Sequence, residues 1–508
     1  MPKIAVHSRL HAYSLLVGVV VGTLFAGLAV PLAFGTSPQA AKATSPDAGG
    51  SVLAPEATAT AGAPPGVALP TGPAATGSGP GAAVGNAPGS GAASGSGGAA
   101  PGSGPAAVKG SGGRGLTASD VGVTPTTIKL GVVLLDLSAL TPLGLGLDNY
   151  DLKTQRAAFD TYIADANRSG GLFGRKIIAD YATLNPLDSN GSGSAPAICR
   201  KFTEDDKVFA VTGYAGDAAT CAAVQYKTPA VFNLGTLKES YTKSHNYLVG
   251  GSPTLERIAQ DWAGYIVDRL NLSKAKIGVL SSNIQPSVGP AGVAVDTLKK
   301  LGHPVTYWKK LDSSGDASQL AVAVQQFRAA GVDTVMLFTD FVTALQFVQN
   351  ADNQNWKPQY LTSDFGTLSS DGLVKNMSSG FDGAIAVTGA ISEPPVVQPE
   401  PAVDRQCRSE YNNGTSGKDF AWGEESPIYP ICMMMRIVMR GLTGAGPTLT
   451  RAGMVDTIQH LGALELPSYG QGSFAPGKTD FGDQIRPLVW HYSCKCYASA
   501  GPPSHVKY

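Results

Sequence analysis

Six cysteines, seven histidines and 38 acidic residues are the groups of this 508-residue chain best able to do chemistry. Their spacing suits cross-linking and binding rather than bond breaking. The cysteines are Cys199, Cys221, Cys407, Cys432, Cys494 and Cys496, and an even count in an exported chain reads as a disulfide framework. Sequence neighbours are the natural pairs: Cys199 with Cys221, Cys407 with Cys432, and Cys494 with Cys496. For the last two, metal ligation with His491 is the competing reading, although structural zinc takes four well-spaced ligands. His245, His303, His460 and His491 have no acid or thiol at a telling distance. No G-x-S-x-G elbow occurs, and the LGLGL run at 143–147 lacks the third glycine and the ribose-binding acid of a dinucleotide site. With no nucleophile and base assembled, the sequence predicts a binding protein that is not an enzyme and needs no cofactor.

In open α/β sheets, ligands sit beyond the carboxyl ends of strands, so the residues just past each strand pattern are the candidates. Tyr150 lies in the loop after the first such pattern. Tyr214 and Asp217 follow another and lead into a helix N-terminus, whose N–H groups and dipole suit an anion. Gly235 and Thr236 follow the next. Asn283 stands after the first strand pattern of a second series, Phe341 after a later one, and Asp364 just past 359–362. Each has a plainer reading. Asp217 could cap its helix, Tyr150 and Tyr214 could pack locally, Phe341 could be core and Asp364 could shape a turn. A carboxylate desolvated alone would cost several kcal/mol, so Asp364 in a closing cleft calls for a cationic or donor-rich partner.

The elements that must position these groups are legible. Residues 127–135 (TIKLGVVLL) form a near-continuous apolar run, the pattern of a parallel strand buried on both faces. Residues 151–168 carry an apolar stripe at helical spacing. NRSGGLFGRKI at 167–177 then closes that helix on paired glycines and opens a strand at 176–182, completing a βαβ unit. Strands at 208–212 and 230–233 flank a helix at 218–226. A second series alternates helix and strand from 253 to 362, which predicts two doubly wound α/β lobes. Helical patterns then dominate 402–461 before a strand at 486–492, so the chain is expected to return and complete the first lobe.

The amino-terminal part is different. Residues 14–34 carry no charge, are preceded by Lys3 and Arg9, and suit either an uncleaved membrane anchor or a signal segment within 1–35. Residues 36–115 are almost entirely Gly, Ala, Pro and Ser, too poor in apolar surface to fold, and about 80 such residues reach roughly 50 Å r.m.s. as a tether. The expected domains are 116–250 with 390–475 as one lobe and 251–389 with 476–508 as the other. Lysines plus arginines equal acids at 38 each, and no basic stripe appears, so nucleic acid is not the expected partner.

The order GVTPTTIKLGV, NRSGGLFGRKI, the Cys199 helix running into DDKVFAV, TPAVFNLGT, KIGVLSSN and VDTVMLFTD resembles the type I periplasmic binding proteins, in particular the Leu/Ile/Val-binding branch of ABC transporter receptors. The resemblance covers about 120–497. It implies two lobes joined by three crossover segments, near 250–253, 389–395 and 473–478, closing on a small ligand. It further implies a ligand carboxylate near 213–217 and Thr236, an aromatic contact from Tyr150 and Phe341, and an ammonium at Asp364. The implied partner is an ABC permease in the membrane, with the amino-terminal segment as tether; a ligand sensor or cell-surface interaction protein without a permease is the alternative. The chain departs from the family in having Val288 and Gly289 where a Tyr-Gly pair is common. With Ser282, Asn283 and Gln285 just before them, a more polar ligand is expected, such as an amide or a polar amino acid.

Overall fold

A computed structural model of the chain describes residues 115–143, 147, 149–186, 194–269, 274–312, 317–390 and 399–506. The expected anchor and tether, 1–35 and 36–114, lie outside these residues. Among the described residues no helix is long and apolar enough to cross a membrane.

The first lobe is built on a five-stranded, all-parallel sheet of β1 (Thr127–Leu135), β2 (Lys176–Leu184), β3 (Ala210–Gly213), β4 (Ala230–Phe232) and β5 (Leu248–Gly250), ordered β2-β1-β3-β4-β5. Between the first two strands runs α1 (Leu152–Arg168), started by Asp151, whose carboxylate accepts the Thr154 N–H at 2.9 Å. The 167–177 turn works as its composition predicts. Gly170 and Gly171 take φ of 92° and 74°, and a Cβ on Gly171 would collide with the Arg175 carbonyl. Asn167 bonds both the N–H (2.8 Å) and the carbonyl (2.9 Å) of Ile177, locking helix end to strand start. Arg175, 1% exposed, donates to the carbonyls of Thr124, Pro447 and Thr117 at 2.8, 2.9 and 2.9 Å. Further helices follow β2, β3 and β4 in turn: α2 (Ser194–Arg200), α3 (Gly216–Tyr226) and α4 (Lys238–Ser244).

The second lobe follows α5 (Leu255–Arg269). Its sheet contains β6 (Ile277–Ser282), β7 (Tyr307–Leu311), β8 (Thr334–Phe338), β9 (Gln359–Ser363) and β10 (Ile385–Thr388), with β13 (Gln484–His491) and β14 (Cys496–Ser499) antiparallel at one edge. The order is β14-β13-β10-β9-β8-β6-β7, with short β15 (Ser504–His505) on β13. Helices α6 (Val288–Lys300), α7 (Ala317–Ala329), α8 (Phe341–Asn353) and the single turn α9 (Asp371–Val374) cover it. Trp262 of α5 and Trp490 of β13 are fully buried in its two cores.

Helices α10 (Ala402–Gly414), α11 (Ile428–Gly444) and α12 (Arg451–Gln459) then pack their buried residues into the core of the first sheet, as do the hairpin strands β11 (Gly462–Leu466) and β12 (Gly470–Phe474). The chain therefore crosses between lobes three times, after β5, after β10 and after β12. Pro253 of the first crossing sits where the other two pass: a Cβ on Gly389 would come within 3.1 Å of it, and one on Gly482 within 2.5 Å. The first and third crossings also pair directly, Gly250 N–H to Thr479 O at 2.9 Å and Phe481 N–H to Gly250 O at 2.8 Å. Beside them lies an ion network. Asp480 accepts from Arg257 and from the Thr254 N–H, while Asp483 binds Arg257 at 2.9 Å and Lys478 at 3.2 Å.

All six cysteines are bonded, Cys199–Cys221, Cys407–Cys432 and Cys494–Cys496. The first two bonds close loops of 22 and 25 residues in sequence separation, each contributing about 3 kcal/mol by chain entropy. The metal reading of Cys494 and Cys496 is thereby corrected, since both sulfurs are consumed in one bond. Among the described residues no cluster of His, Cys, Asp and Glu is arranged to hold an ion.

Candidate functional site

Between the lobes lies a cavity of about 720 Å³, walled by both. From the first lobe come Leu135 and Tyr150 after β1, Tyr214 after β3, Asn233 and Leu234 after β4, and Tyr429 and Pro430 of the first turn of α11. From the second come Phe341 at the start of α8, Asp364 after β9, Asp371 of α9, Thr388 at the end of β10 and Tyr497 of β14. Parallel strands place their carboxyl ends, and hence these loops, on one side of each sheet, and the two sheets present that side to the cleft.

Of the residues singled out from sequence, Tyr150, Tyr214, Phe341 and Asp364 meet here. Tyr150 and Tyr214 form an edge-to-face pair with ring centroids 6.4 Å apart. Four others are placed elsewhere. Asp217 is exposed in the first turn of α3, off the cavity wall. Gly235 and Thr236 fold back on the first crossing: a Cβ on Gly235 would strike the Pro253 carbonyl, and the Thr236 carbonyl accepts the Leu255 N–H at 3.1 Å. Asn283 is exposed, its N–H bonded to Leu311 O at 2.8 Å. The loop carrying it closes instead over a much smaller recess with Asp340, the N-cap of α8. The polar residues expected to tune the ligand are thus not on the wall of the large cavity.

Asp364 is held from three sides. Its carboxylate accepts from Ser369 Oγ at 2.5 Å, from the Gly389 N–H at 2.6 Å and from the Thr388 hydroxyl. Burial pushes its carboxyl above the usual range, and these donors pull it part of the way back. Asp371 accepts the Tyr497 N–H at 2.7 Å, and burial pushes it up to about 6. Around it on the same wall stand Asp364 and Tyr497; across the cavity are Glu425 and Glu424, the latter bridged to Lys418 at 3.0 Å. The fold binds the Asp371 proton more tightly than an unfolded chain, whose ordinary value is 3.8. Its contribution to stability therefore falls as pH rises from about 4 to about 6 and stays low above. Asp371→Asn keeps an oxygen for the Tyr497 N–H but carries no charge. It is expected to melt above wild type at pH 8, with the gain closing by pH 4 in matched thermal scans; a gain equal at both pH values would contradict this titration.

Asp371, Tyr429, Tyr469 and Tyr497 were not singled out from the sequence. Asp371 stands on the single turn α9, and the three tyrosines reach the cavity on the returning helix, the β11–β12 hairpin and the carboxyl-terminal edge, so their proximity depends on long-range topology. The one local signal is SPIYPI at 426–431, where polar and proline residues open a long apolar helix.

A family model described as periplasmic binding protein matches residues 127–485, which is most of the chain and nearly all of the fold. The chain belongs to the periplasmic binding protein family. No curated protein gives a significant match in sequence. Solved structures share the fold of this periplasmic binding protein at low identity. A solute-binding protein of an ABC transporter from Rhodopseudomonas palustris, in complex with 3,4-dihydroxybenzoic acid, is 15% identical, covering 75% of this chain and 98% of that one, with a TM-score of 0.55. The branched-chain amino acid transporter substrate-binding protein of Streptococcus pneumoniae, in complex with isoleucine, is 16% identical over 74% and 100%, TM-score 0.56. A fatty acid ABC transporter substrate-binding protein from Thermomonospora curvata is 17% identical over 77% and 95%, TM-score 0.56. The two-lobed, three-crossover architecture is therefore that of type I periplasmic binding proteins, a family of solute-binding receptors rather than enzymes.

Proposed function

We propose that this protein is the extracytoplasmic receptor of an ABC-type importer, closing its lobes on a small molecule and presenting it to a permease. The observation that carries this reading is the cavity of about 720 Å³ lined from both lobes and bordered by the crossings. A guest that touches both walls favours the closed arrangement by its differential affinity for it. The lobes assigned to this closure are 116–250 with 390–475 and 251–389 with 476–508. The apolar run at 14–34 would anchor the receptor and the small-residue stretch would let it stand off the membrane. Asp364 and Tyr150, on opposite walls, are the contacts assigned to the ligand, which by size suits an amino acid, an amide or a similar compound.

The test is mass spectrometry of what co-purifies with the full-length protein, followed by a thermal-shift panel of amino acids, amides, amines, acids and short peptides. A hit that raises Tm, and that Asp364→Ala binds at least tenfold more weakly, supports the reading (about 1.4 kcal/mol). If no compound shifts Tm, the receptor reading fails. Uptake of labelled hit by cells carrying the adjacent permease would separate transport from sensing.

A further inference from the structure

The charge on the cavity wall narrows the ligand further, on the basis of the receptor reading above. The described lining holds four carboxylates, Asp364, Asp371, Glu424 and Glu425, and neither lysine nor arginine. Glu424 has Lys418. Among the described residues, Asp364 and Asp371 have only hydroxyls and backbone N–H groups as partners, and burial works against the ionised form of both. A carboxylate so placed is unfavourable until a cation joins it.

A second observation is independent of charge. Tyr429, on the first-lobe wall, is 3% exposed, and its hydroxyl has no hydrogen-bond partner among the described residues. Buried hydroxyls are rarely left so, and this residue lines the cavity. The wall opposite the two aspartates is largely aromatic. Tyr150 and Tyr214 in edge-to-face contact, with Tyr429 beside Trp422 at 5.6 Å, offer an apolar, electron-rich surface that attracts cations as well as hydrocarbon.

An α-carboxylate finds no comparable partner. The helix N-terminus expected to take it, that of α3, contributes no residue to the wall, only Tyr214 just ahead of it. The other helix N-terminus there, that of α11, has Glu424 and Glu425 directly upstream on the lining.

We propose that the cleft selects organic ammonium ions that lack a carboxylate: amines or quaternary amines on an apolar or aromatic body. The cation sits at Asp371 and Asp364 and the body against Tyr150, Tyr214 and Tyr429.

Calorimetric titration of the full-length protein with probes of one skeleton tests this: phenethylamine, phenethyltrimethylammonium, phenylalanine and 3-phenylpropionate, run beside the thermal-shift panel. The amine or the quaternary ion is expected to bind at least tenfold more tightly than phenylalanine, and 3-phenylpropionate is expected not to bind. Asp371→Asn should cost at least tenfold in affinity for the cation while its own Tm does not fall, which separates lost binding from lost folding. Tyr429→Phe should weaken the primary amine several-fold and leave the quaternary ion, which has no N–H to give the hydroxyl, unchanged. Binding of phenylalanine or 3-phenylpropionate as tightly as the amine overturns the proposal and leaves the receptor reading standing. So does a panel in which only neutral or anionic compounds bind. If nothing of any charge binds, both fall.

Discussion

Arg175→Met is expected to lower stability by about 3–5 kcal/mol, read as a shift of the urea midpoint of the full-length protein. The guanidinium is buried and its fork satisfies three carbonyls from three separate segments, Thr117, Thr124 and Pro447, with N···O distances of 2.8–2.9 Å. Methionine has similar bulk and no donor, so the side chain's volume is kept while three carbonyls of exposed residues lose a charged donor. A hydrogen bond to a charged group contributes about 1.5–3 kcal/mol, and water takes back part of that at each exposed carbonyl. Arg175→Lys should recover only part of the loss, because one ammonium cannot span positions that a planar fork reaches. A midpoint within about 0.5 kcal/mol of wild type for Arg175→Met, the range of ordinary surface substitutions, would show that the three bonds contribute little.

The second large effect is expected at the crossings. Asp480→Ala should destabilise by about 3–5 kcal/mol, the usual result of removing one partner from a buried ion pair. Arg257 and Asp480 have side chains only 14% and 8% exposed, so the cation that stays behind is largely shut off from water. The Thr254 N–H, bonded to the same carboxylate at 3.0 Å, loses its acceptor as well. Arg257 keeps Asp483 at 2.9 Å and Lys478 keeps Asp483 at 3.2 Å, so the remaining network carries two cations on one carboxylate. Because the network joins the first and third crossings, the variant should also bind any cleft ligand differently from wild type. Asp480→Asn, which retains an acceptor for Thr254, should cost less. Equal losses for the two variants would mean that the lost charge carries the whole effect and the Thr254 acceptor none of it.

Much of this architecture is visible in the residues themselves. TIKLGVVLL specifies β1 because a near-continuous apolar run suits a strand covered on both faces, and it spans 127–135 as read. NRSGGLFGRKI specifies its turn because two glycines can take positive φ. The β11–β12 hairpin is not legible in this way. GQGSF has neither alternation nor β-branched residues, and it pairs because the third crossing holds it against Phe481. The site divides along the same line. Asp364 and Phe341 can be found by rule, one and three residues past the end of a strand. Tyr429 and Asp371 cannot, since a tyrosine at a helix start and an aspartate in a single helical turn gain meaning only when the other lobe faces them. Thr236 and Asn283 satisfy the same rule and yet turn away, one toward a crossing and one toward a smaller recess.

The Arg175 clamp also determines how the fold meets a mechanical pull. Tension travelling along the chain from before residue 115 arrives at Thr117 and Asp120. There Arg175 grips Thr117, Ser119 donates to Leu449 O at 2.5 Å, and Asp120 accepts the Arg451 N–H at 2.7 Å. All three bonds lie ahead of β1 along the chain, at its amino end. The cleft begins at Leu135, nine strand residues away, about 30 Å at the rise of an extended chain. A pull on the chain ahead of Thr117 would thus be taken up at the end of the first lobe remote from the cleft.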